Sequence, residues 1–86
     1  MARRRRNRSG GSMVIETVNV TSMNSAYSWL AATIATVVMV QETKVLARDI
    51  PEHSQRLLRE GWKSVWAPAL HTQAAGVSAG VVVLAR

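Results

Sequence analysis

The sequence predicts an α/β fold with the element order β-α-β-α-β-β, and three observations carry that prediction. β-Branched and apolar residues cluster in short runs at 14–20, 37–41 and 79–85, each of strand length. Between the first two runs, and again after the second, apolar residues recur at helical spacing instead. Gly, Pro and the small polar residues that cap helices fall at the joins between these segments.

Val14, Ile15, Val18 and Val20, with Thr17 and Asn19 between them, predict the first strand. Ser22, Asn24 and Ser25 then offer N-caps, and Ala26, Leu30 and Ile34 define one face of a helix over 26–35. Val37 to Gln41 is the second strand, and residues 44–48 are a loop. Asp49 and Glu52 have capping-box spacing, and Pro51 suits a first helical turn. In that helix Ile50, Ser54, Leu57 and Leu58 share a face. Gly61 stands where a left-handed C-terminal cap belongs, with Trp62 placed to fold back on Leu57. Lys63 to Ala67 is the third strand, and Ala69 to Ser78 a loop containing His71. Ala79 to Ala85 is the fourth strand, whose unbroken apolar run predicts cover on both faces. The first two strands are expected to be parallel through a right-handed crossover, and the last two antiparallel. Trp29, Trp62, Trp66, Met23 and Met39 are expected in the core.

At 86 residues the chain holds at most one small domain. It has no Cys, which excludes disulfides and thiolate metal sites and fits an intracellular location. The net charge of +6 is concentrated in Arg3, Arg4, Arg5, Arg6 and Arg8, and residues 13–86 are nearly neutral. Residues 1–12 therefore read as a disordered basic tail, with order beginning near Met13. Such a tail can contact nucleic-acid phosphates, act as a nuclear import signal or resemble an organelle transit peptide. The longest apolar or small stretch, Trp29 to Val40, is 12 residues, short of the ~20 a spanning helix needs. Asn7-Arg8-Ser9 and Asn19-Val20-Thr21 also match the glycosylation sequon.

Three ordered motifs give the chain a family resemblance. Val18-Asn19-Val20-Thr21-Ser22 ends the first strand, Val38-Met39-Val40-Gln41-Glu42-Thr43-Lys44 ends the second, and Ser78-Ala79-Gly80-Val81-Val82-Val83-Leu84-Ala85-Arg86 forms the last. Gly61-Trp62-Lys63-Ser64-Val65-Trp66 fits the strand between them. Together they resemble the N-terminal part of the endonuclease/exonuclease/phosphatase superfamily over residues 14–86, with the exonuclease-III-type and retrotransposon branches nearest in motif form. The resemblance implies half of a four-layered α/β sandwich, truncated after the fourth strand, with an apolar face left without its second sheet. It implies Glu42 as the Mg²⁺ ligand and Asn19 as organiser of metal and phosphate. Mg²⁺ takes hard oxygen ligands and keeps several waters, so a strand-end carboxylate suits it.

The departures matter equally. Val18 replaces an aromatic residue and Thr21 replaces an Asn. The family's later Tyr, Asp-x-Asn and Asp-His elements have no counterpart. The one Asp, Asp49, reads as a helix cap, and neither His53 nor His71 falls at the family's histidine position. The expectation is a fragment of an Mg²⁺-dependent phosphodiesterase acting on nucleic acid, inactive alone. The alternatives are a non-catalytic nucleic-acid binder through the Arg tail, or a subunit that completes its sheet with the missing half or with a second copy.

Overall fold

A computed structural model describes residues 3–9, 13–72 and 76–86, with side chains at 14–70 and 79–86. The elements run β1 (Arg3–Ser9), β2 (Met13–Asn19), α1 (Met23–Ala32), β3 (Val37–Gln41), a 3-10 turn (Ala47–Asp49), α2 (Ile50–Arg59), β4 (Lys63–Ala67), β5 (Leu70–Thr72), β6 (Gly76–Ser78) and β7 (Val81–Ala85). The six predicted elements are present in the predicted order. β2 and β3 are parallel, joined through α1, and β7 lies antiparallel between β3 and β4. The last strand is therefore central in the sheet.

Two segments differ from expectation. Arg3–Ser9, expected as part of a disordered tail, is an edge strand antiparallel to β2, in register from Arg3↔Asn19 to Ser9↔Met13. Backbone pairing is independent of side-chain type, and without β1 the outer edge of β2 would carry unpaired N–H and C=O groups. The register also sets Arg6 opposite Glu16, a fully buried carboxylate that accepts a 2.7 Å hydrogen bond from the Thr33 hydroxyl. The segment expected as a loop over 69–78 contains the small β5–β6 hairpin, whose three-residue strands are too short for periodicity to reveal.

The two faces of the sheet are unlike. Val14, Val18, Val38, Val40, Val82 and Leu84 point to the helix side and are buried with Met23, Ala26, Tyr27, Leu30, Leu57 and Trp62. On the other side, register aligns Thr17, Met39, Val83 and Val65 in one row, and Val65 is 74% exposed. Met39 and Val83 are exposed too, so Met39 is not core and β7 is packed on one face, not both. An exposed apolar row across a sheet is the feature expected where a second layer is missing.

Local chemistry explains the helix limits. α1 starts earlier than the Ala26 period suggests, at Met23, with Ser22 extended at the cap position, and Thr33 turns extended to end it. Ile34, counted on the helical face, consequently lies outside the helix and is exposed. α2 ends as predicted. Trp62 donates its N–H to the Leu57 carbonyl (2.9 Å) and Gly61 to that of Leu58 (3.0 Å), with Gly61 at φ 93°. This is the Schellman pattern, and Trp62 and Leu57 are both buried beneath it. The Asp49–Glu52 capping box does not form. Asp49 lies in the 3-10 turn with helical dihedrals, so its carboxylate makes no cap hydrogen bond. Leu58, placed on the apolar face, is exposed.

Arg86 anchors the end of β7. Its Nε donates to the Ala35 carbonyl (3.0 Å), a second nitrogen to that of Thr33, and its guanidinium lies 4.3 Å from the Trp62 ring centroid.

Candidate functional site at the carboxyl ends of β2 and β3

Parallel pairing brings the two predicted residues to one end of the sheet. Asn19 closes β2 in register with Gln41, the last residue of β3, and Glu42 follows directly. Asn19 is exposed and Glu42 half-buried. In open α/β sheets this carboxyl end is where ligands bind. The arginines Arg3, Arg4, Arg5, Arg6 and Arg8 lie along the adjacent edge strand, with Arg3 in register with Asn19.

The backbone around Glu42 is held on both sides. Val20 donates to the Gln41 carbonyl (3.2 Å) and Met23 to that of Thr43 (2.9 Å). From the opposite side, Thr43 donates to the Gly80 carbonyl (3.0 Å) and Lys44 to that of Ala79 (2.9 Å). Glu42 sits at φ 61° and Lys44 at φ 58°, facing Ala79 at φ 65°. Left-handed conformations in non-Gly residues are disfavoured and gather where the surrounding structure fixes them, often at functional sites. Here three of them fall at one strand end. They interrupt the regular strand directly after Gln41, while Thr43 and Lys44 stay paired with Gly80 and Ala79.

Gly80 makes this arrangement possible. At φ 96°, a Cβ added there would meet the Thr43 hydroxyl at 2.5 Å and the Lys44 nitrogen at 3.2 Å. The second atom is backbone already bonded to Ala79 and cannot retreat. Gly80→Ala is expected to lower stability by about 2–3 kcal/mol, from a left-handed Ala plus overpacking. Gly61, with nothing within 4 Å of an added Cβ, is the internal comparison. Gly61→Ala should cost only about 1 kcal/mol, and urea denaturation of both variants checks the difference.

A cleft of about 120 Å³ lies on the helix side of the same strand ends, lined by Ser22, Asn24, Thr43, Lys44, Asp49 and His53 among others. Neither Asn19 nor Glu42 lines it. His53 is committed to packing instead. Its Nδ1 is hydrogen-bonded to the Tyr27 hydroxyl, and the two rings stack at 5.8 Å, with Trp66 at 5.9 Å on another side. Arg56 covers the Tyr27 ring at 3.6 Å. Burial raises the Tyr27 pKa above its ordinary 10.0; Arg56 opposes the shift, while Glu60 and Glu52 add to it.

A raised folded-state pKa means that ionisation is harder in the folded protein. The stabilisation is present below the unfolded pKa and is lost as pH rises through the folded value. Tyr27 is the sole tyrosine, so tyrosinate absorbance reads it directly. The titration midpoint should lie above 10 in the folded chain and return to the ordinary value in urea.

The donor chemistry at the strand ends suits a hard divalent cation in part. Glu42 offers a carboxylate and Asn19 an amide oxygen, and Mg²⁺ commonly uses one or two carboxylates with waters and substrate phosphates. Among the described residues no three His, Cys, Asp or Glu side chains gather to hold a metal. Asp49 and His53 are placed together by the cleft, apart from the Asn19 and Glu42 pair. His71 lies outside the described side chains. Sequence reading missed the positioning role of the Ala79-Gly80 turn, whose only sequence signal is the Gly that precedes the last strand.

No protein-family model and no curated protein matches the sequence. Two solved structures of an enzyme from Neisseria do. One, a 3′ phosphatase bound to product DNA hairpin, has a TM-score of 0.67 at 26% identity over 87% of this chain. The other, a 3′-5′ exonuclease from Neisseria meningitidis, has a TM-score of 0.63 at 26% identity over 84% of this chain. The chain spans 28% and 27% of their respective lengths. In fold and motif order the chain is similar to a segment of these α/β structures. Within that class, the likeness is to the endonuclease/exonuclease/phosphatase superfamily.

Proposed function

We propose that the chain provides the Asn19/Glu42 corner of an Mg²⁺-dependent site that hydrolyses phosphoesters in nucleic acid, and that it does not turn over substrate alone. The observation that carries this reading is the rigidly held, left-handed Glu42 beside Asn19 at the carboxyl end of parallel strands. The similar structures, a 3′ phosphatase and a 3′-5′ exonuclease, support the substrate class. Glu42 and Asn19 would hold the cation, which when bound offsets phosphate charge during attack by water. Glu42 supplies the negative charge, Asn19 orients the phosphate, and the Ala79-Gly80 turn fixes the backbone that follows Glu42. The reading of inactivity rests on the family resemblance: its Tyr, Asp-x-Asn and Asp-His elements, which position the attacking water and protonate the leaving group, have no counterpart in this sequence.

The test is a labelled DNA hairpin carrying a 3′-phosphate, incubated with the chain in Mg²⁺ or EDTA. Expected are tighter binding in Mg²⁺ than in EDTA and no release of phosphate or nucleotides. Mg²⁺-independent binding would contradict the metal role. Product formation that Glu42→Ala abolishes would contradict inactivity.

A second reading, a subunit completed by another chain segment, is favoured by the exposed Met39, Val65 and Val83 row. Sedimentation over a range of concentrations should then show association, reduced by Val65→Lys. A concentration-independent monomer would count against it.

A further inference from the structure

Five arginines lie within β1, yet the register divides them into two sets. Arg3 and Arg5 are opposite Asn19 and Thr17, at the head of rows that continue to Gln41 and Met39 on the open face. Arg4 and Arg8 are opposite Val18 and Val14, whose side chains are buried on the helix-covered side, and Arg6 is opposite Glu16, also buried. Pairing thus turns a basic run into a strand with one set of positions in line with the candidate site. β1 is also an edge strand of its sheet. Two strand steps, about 10 Å, separate the Arg3 backbone from that of Gln41. One nucleic-acid strand can touch both.

We propose that β1 is a phosphate-binding rail of the Asn19/Glu42 site, in which Arg3 and Arg5 hold backbone phosphates of a nucleic-acid strand next to the one at Asn19. The inference rests on the nucleic-acid reading above. The chemistry favours it. Arginine is the side chain best matched to phosphate oxygens, and residues 13–86 are nearly neutral and so supply little attraction of their own. The plain alternative is that the arginines only discourage edge-to-edge association of the sheet. That role does not depend on which alternate positions carry charge.

Two double variants of equal charge loss separate these readings: R3Q/R5Q, and R4Q/R8Q, which spares the residue opposite Glu16. Anisotropy of a labelled DNA hairpin is measured with the intact chain at two salt concentrations, with circular dichroism to confirm folding. R3Q/R5Q should weaken binding about tenfold and lower the salt slope by about two. R4Q/R8Q should weaken it less than threefold. Equal losses in the two variants, or none in R3Q/R5Q, would overturn the rail while leaving the hydrolase reading intact. Absence of DNA binding by the unaltered chain would overturn both. If R4Q/R8Q unfolds, the single variants Arg5→Gln and Arg8→Gln replace the pairs, with the larger loss expected for Arg5→Gln; equal losses again overturn the rail.

Discussion

Trp62→Ala is expected to remove about 3–5 kcal/mol of stability, much of what a domain this small possesses. Trp62 is the largest fully buried side chain, 1% exposed, and lies directly after the Gly61 turn that ends α2. Its ring packs in the core and carries the Arg86 guanidinium at 4.3 Å. Truncation therefore leaves a large cavity and also frees the clamp that ties β7 to the Ala35 and Thr33 carbonyls. Urea unfolding followed by far-UV circular dichroism should show a much lower midpoint or no folded baseline. Trp66→Ala, at a half-buried position, should cost clearly less. A similar loss for both would mean that burial does not govern the energetics of this core.

Glu42→Gln is expected to reduce Mg²⁺ affinity at least about tenfold, equivalent to about 1.4 kcal/mol, without a comparable loss of stability. The amide keeps the size of the side chain but removes the negative charge that a hard cation requires. The folded core does not depend on that charge, because Glu42 is half-buried at a strand end and its backbone hydrogen-bonding neighbours are unchanged. Isothermal titration with Mg²⁺, paired with thermal unfolding in EDTA, checks both halves of the prediction. A variant that binds Mg²⁺ as well as the unaltered chain would remove Glu42 from the site.

What could be read from the sequence depended on how local its cause is. β2, β3 and β7 were legible because β-branched residues recur in short bounded runs, and β4 because Val65 and Trp66 stand in a loosely alternating run ended by Pro68. The end of α2 was legible because Gly61 and Trp62 form a cap with known chemistry. That Asn19 and Glu42 lie at the same end of the sheet followed from the expected parallel pairing of the first two strands. β1 was hidden because five arginines in seven residues carry no apolar period. That strand forms through backbone pairing on the edge of β2, which the sequence of β1 does not encode. The Asp49 cap failed because the 3-10 turn before α2 fixed its backbone in helical dihedrals. The need for Gly80 was also hidden, since it arises from the approach of Thr43 across the sheet end. The open face was foreseeable from the family resemblance, whereas Met39 looked like core by composition alone.

The most direct measurement is paramagnetic broadening of backbone amide signals by Mn²⁺, used in place of Mg²⁺ at substoichiometric concentration. The predicted result is early and selective loss of the Asn19, Gln41, Glu42 and Thr43 signals, absent in Glu42→Gln. Broadening centred elsewhere, or unchanged by that substitution, would contradict a metal-binding corner at the ends of β2 and β3.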